Sequence, residues 1–97
     1  MEDFAIPLVP KENLHHYHFL NHEVLDTETE VEHRRKLLEE AMLLGNTEKQ
    51  KVKMIFETTN GLIMVETTIW DMSDSHIELK GARDIPICCI REVIIRE

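Results

Sequence analysis

The sequence predicts an α+β fold, mainly β: a helix leading into a small antiparallel barrel of about five strands. Three observations carry this. Thr27-Glu28-Thr29-Glu30 has the form of a capping box and opens a helical apolar pattern. Near residue 46 the composition changes from Leu, Glu and His to Ile, Val and Thr. Asn60-Gly61 stands between two alternating runs, the strongest short hairpin signal. With 97 residues, 42% of them hydrophobic and 31% charged, the chain has room for a single core. The organisation read from these patterns is an arm and histidine-rich segment over 1–26, then helix plus barrel over 27–97.

The elements follow in order. Residues 1–10 carry two prolines and no helical period, while Phe4, Ile6 and Leu8 alternate. They read as an extended arm suited to a sheet edge or a partner, or as a frayed terminus. Residues 11–25 read as a short helix with Pro10 near its first turn. The helix over 27–45 has acids at Glu28, Glu30 and Glu32 that oppose the positive end of its dipole. Its apolar stripe runs through Val31, Leu38, Ala41 and Met42, and Gly45 reads as the residue that ends it in αL.

In the strand half, a type I′ turn at Asn60-Gly61 pairs Thr59 with Leu62. Val52 then faces Ile69, Met54 faces Thr67 and Phe56 faces Val65 on an apolar side. Ile55, Met64 and Trp70 fall on the other side. A polar turn at Ser73-Asp74 precedes a strand over 75–80, with Ile77 and Leu79 inward. A turn over 81–84 leads to a short strand at 85–88, where Pro86 demands an edge or bulge. A tight helical turn from Cys89 to Glu92 and a last strand at Val93-Ile94-Ile95 close the chain.

The stretch LKGARDIPICCIREVII resembles the closing segment of Sm-like and SH3-like small barrels. There a strand with an Ile-Pro pair passes through one helical turn into the last strand. Within that class the chain is weakly similar to the Rho-binding antiterminator family, acidic Sm-like proteins with a helix before the barrel. Ile85, Ile87, Ile90 and Val93 are the matching positions, all of core type. The resemblance implies a protein that acts by binding protein, and it carries over no functional residue.

The net charge of −8 is uneven: residues 34–53 hold six bases against three acids, within an otherwise acidic chain. Such a balance suits solubility or a basic partner and argues against nucleic acid, whose affinity comes mostly from neutralised phosphates. RNA binding would rely on Arg34, Arg35, Lys49, Lys51 and Lys53. Acidic residues at Glu2 and Asp3, where a signal would be basic, and the lack of a run of ~18–20 apolar residues predict a cytoplasmic protein off the membrane.

Chemistry-bearing residues are few. His15, His18 and His22 would share one helical face and could bind a metal ion, with Glu23 or Asp26 adding an oxygen. The commoner reading of such a segment is polar packing at a surface. Cys88-Cys89 lacks the C-x-x-C spacing, so both read as ordinary thiols and no cofactor is expected. Asp71 and Asp74 flank a turn that itself calls for such residues. Trp70, Met64 and Ile55 are candidates for a partner-binding patch, and read as well as core. The function expected is a non-enzymatic interaction or regulatory module acting on a protein partner or by self-association. The alternative is a metal-binding or metal-sensing protein.

Overall fold

The computed structural model describes residues 5–81 and 84–96. One long helix, α1 (Glu28–Glu48), is followed by six strands: β1 (Val52–Thr58), β2 (Gly61–Thr67), β3 (Ile69–Met72), β4 (His76–Leu79), β5 (Asp84–Pro86) and β6 (Ile90–Ile94). The strands form two antiparallel sheets, β2-β1-β6 and β3-β4-β5. The expected α+β class is found, but the sheets do not close into a barrel. Thr68 separates β2 from β3, and the free edge of β2 is taken by the arm rather than by a closing strand. Val9 N–H donates to Met64 O at 2.8 Å and Met64 N–H to Pro7 O at 2.8 Å. The arm thus lies along a sheet edge, one of the placements expected, but it buries Val9 and leaves Leu8 exposed; Phe4 lies outside the described residues.

The helix starts as its capping box dictates. Thr27 Oγ1 accepts from Glu30 N–H at 3.1 Å, and Glu30 Oε1 accepts from Thr27 N–H at 3.2 Å. It ends later than expected. Gly45 is buried inside the helix, and the αL residue is Lys49, with φ 54°. A Cβ at position 45 would stand 2.7 Å from both Ile69 O and Thr68 Cγ2. Gly45 is therefore what lets α1 sit against the junction where the chain passes from one sheet to the other.

The hairpin joins β1 to β2 with a register shifted by two from the one expected: Phe56 faces Ile63, Met54 faces Val65 and Val52 faces Thr67. The loop is Thr59-Asn60, whose φ values are not positive, and only Gly61, at φ 110°, uses the glycine's freedom. The Thr58 hydroxyl closes the loop early. It accepts from Asn60 N–H at 3.1 Å and donates to Gly61 O at 2.8 Å. A shift of two preserves the faces, so Val52, Met54, Phe56, Ile63, Val65 and Ile69 are buried as the alternation requires. Gly61→Val forces a β-branched residue to positive φ, and we expect a loss of ~2–3 kcal/mol in urea unfolding. A midpoint equal to the parent's would contradict the observed turn.

Ile77 and Leu79 of β4 point inward, and Pro86 lies on the outer strand of its sheet, both as expected. Of the turn expected over 81–84, Ala82 and Arg83 lie outside the described residues. The tight turn before the last strand is a 3-10 turn at Ile87–Cys89, two residues earlier than expected. Ile85, Ile87, Ile90 and Val93 are all buried.

Residues 11–25 do not form an α-helix. A 3-10 turn at Lys11–His16 buries Leu14, and the chain then extends. Phe19 pairs with Thr58; Thr59 N–H donates to His18 O at 2.9 Å and Leu20 N–H to Glu57 O at 3.2 Å. Strand bonds and the Phe19 ring, set edge-on to Phe56 at 5.5 Å, decide against the helix. Among the described residues no helix is long and apolar enough to cross a membrane.

Candidate binding cleft

A depression of about 660 Å³ lies where four parts of the chain meet: the Pro10-Lys11 turn, the end of α1, the β2–β3 junction and the end of β4. Its size falls in the range of ligand sites. Trp70, on β3 and 48% exposed, forms a wall. Lys11, Lys49, Lys51 and Lys80 surround it, with Glu12 and Glu66 also on the lining. The αL turn at Lys49 reverses the chain from α1 into β1, which brings both Lys49 and Lys51 to the same opening. Lys11 reaches across Gly81, where an added Cβ would be only 3.7 Å from its Nζ.

Among the described residues these four lysines make no ion pair. The arginines behave differently. Arg35 lies 3.8 Å from a carboxylate oxygen of Glu39 and of Asp74, and Arg91 is 2.7 Å from Glu57. Arg34, its side chain 6% exposed, grips Glu23 with two 2.7 Å bonds and donates to Ile90 O at 3.1 Å. This pair ties the histidine-rich segment to α1 and β6. The lining therefore carries a net positive charge, four lysines outnumbering Glu12 and Glu66.

The Arg34 hydrogen bonds hold the Glu23 carboxyl below its ordinary value of 4.5, burial opposing them and the Leu25 N–H assisting. A carboxyl with a lowered folded value binds fewer protons folded than unfolded. Its contribution is complete above the unfolded value and is lost as pH falls through the folded one. We expect the urea midpoint to fall with acidification below about pH 4.5, with a shallower acid limb in Glu23→Gln. Parallel acid limbs would show that the pair is not linked to folding.

The other candidate residues are dispersed. His15 and His16 lie at the end of the 3-10 turn with ring centroids 4.0 Å apart, and His18 and His22 are exposed beyond it. Without a helix, His15, His18 and His22 do not share a face. Among the described residues no three His, Cys, Asp or Glu side chains converge in a metal-binding set. Ile55 is buried, and Met64, its cross-strand partner, is half-buried with its backbone bonded to the arm. Trp70 belongs to the other sheet and to the cleft, so the structure does not gather it with those two.

The cysteines lie in the 3-10 turn rather than in a strand. Cys89 Sγ donates to Pro86 O at 3.1 Å, and burial pushes its thiol up to about 12. Burial and the Glu23 charge also raise Cys88. Both are held as packing thiols rather than nucleophiles. Asp71 Oδ1 accepts its neighbour's N–H from Met72 at 2.8 Å, and Asp74 lies near Arg35, so each serves local structure.

Sequence reasoning marks Lys49, Lys51 and Trp70 but not their assembly with Lys11 and Lys80. Lys53, marked alongside them, is half-buried on β1 and outside the lining. No family model matches the chain, and no curated protein or solved structure matches it.

Proposed function

We propose that this chain is a non-enzymatic interaction module, regulatory or self-associating, whose contact surface is the Trp70 cleft. One observation carries the reading: the sole tryptophan of the chain stands half-exposed in a cleft lined by four lysines that, among the described residues, make no ion pair. A small domain has little apolar area to leave in water, and aromatic side chains are enriched where interfaces are buried. A cytoplasmic protein partner is part of this proposal.

Kinship with Sm-like and SH3-like small barrels fits the same reading. Its support is the antiparallel pairing of β1 with β6 and the 3-10 turn between β5 and β6. A helix ahead of the strands supports the resemblance to the Rho-binding antiterminator family, whose members act by binding protein. The test is affinity capture from the native cell with the parent and with Trp70→Ala. The proposal expects a partner that the parent retains and the variant loses. An identical set of retained proteins would reject the cleft as the contact surface.

A further inference from the structure

We infer that the Trp70 cleft takes an acidic segment of a partner protein, one that carries an apolar side chain beside its carboxylates. The inference rests on the reading of the cleft as a contact surface and names its occupant. Four lysines against two glutamates give the lining a charge of +2 within a chain of −8, so the remainder of the chain carries −10. A small positive opening in a negative surface focuses an anionic segment onto one place and repels it elsewhere.

The chemistry of the lining narrows the anion. Among the described residues every cation there is a lysine. Among the described residues the lining holds no arginine fork of the kind that recognises phosphate through paired bonds; Arg34, Arg35 and Arg91 pair with carboxylates elsewhere. Flexible ammonium groups suit several carboxylates spaced along an extended chain. A long polyanion such as RNA would run past the cleft onto the acidic surface around it. A short peptide segment ends before that repulsion begins. Trp70 offers an apolar face that a purely charged ligand would leave wet, so the segment needs a hydrophobic residue among its acids.

The test is a fluorescence titration of the full chain, whose only tryptophan is Trp70, so that emission reports on the cleft. The probes are a peptide of about twelve residues built from glutamate, aspartate and leucine, its amide analogue with glutamine and asparagine, and oligouridylate of similar length. The acidic peptide should blue-shift the emission to saturation. Binding should weaken about tenfold in Lys51→Glu and in Lys80→Glu, and again between ~50 and ~300 mM salt. Lys36→Glu, on the exposed face of α1 and outside the cleft, should change it less than about twofold. Saturation by the amide peptide at equal concentration would overturn the acidic assignment and leave the cleft as a contact surface. No shift with either peptide would count against both. Tighter binding of oligouridylate would reassign the cleft to nucleic acid. A blue shift on concentrating the protein alone would make a second copy the occupant and overturn the partner assignment.

Discussion

Replacing Phe56 with alanine should cost ~3–5 kcal/mol, the range for a large aromatic removed from a packed core. Phe56 is fully buried at the centre of the three-stranded sheet, where it faces Ile63 on β2 and Ile90 on β6. Its ring also receives Phe19 edge-on, so the truncation removes one side of an aromatic pair and loosens the segment that Phe19 anchors. Urea unfolding measures the loss, and the denaturant slope shows whether unfolding remains two-state. A cost under ~1 kcal/mol would mean that the hairpin turns its other face inward, because a period of two flips every residue together.

Gly45→Ala should destabilise, although propensity alone argues the reverse. An alanine inside an exposed helix gains ~1 kcal/mol over glycine. Here the added methyl would meet Ile69 O and Thr68 Cγ2 at 2.7 Å, and one of those contacts is backbone. Overpacking of this kind costs typically ~1–3 kcal/mol and should outweigh the gain in propensity. The strain falls on the β2–β3 junction, which borders the cleft through Thr67, Thr68 and Trp70. Emission from Trp70 should therefore change together with stability. A variant more stable than the parent would show that α1 does not approach the sheets this closely.

The parts of the fold legible in the sequence are those that a short window determines. The capping box needs only Thr27 and Glu30, and the inward face of the hairpin needs only alternation from Val52 to Phe56. The illegible parts depend on a distant neighbour. Gly45 looks like a helix end until Ile69 is placed against it. Arg34 looks like a surface base until Glu23 arrives from a segment with no regular structure. The hairpin register turned on a single hydroxyl, that of Thr58, which competed with the Asn-Gly pair for the turn. In the cleft, Lys49, Lys51 and Trp70 stand out by residue type. Lys11 and Lys80 join them only because the arm runs along the edge of β2 and β4 ends at the β2–β3 junction.

The central claim is that Trp70 lies open in a cleft of net positive charge. Quenching of its emission in the dilute protein by iodide and by caesium tests this most directly. An exposed indole in a cleft of net positive charge attracts the anion and repels the cation, more so at low salt. The account predicts red-shifted emission, strong quenching by iodide and weak quenching by caesium, with the difference shrinking as salt is added. Blue emission that neither ion quenches, or caesium quenching equal to that by iodide, would contradict it.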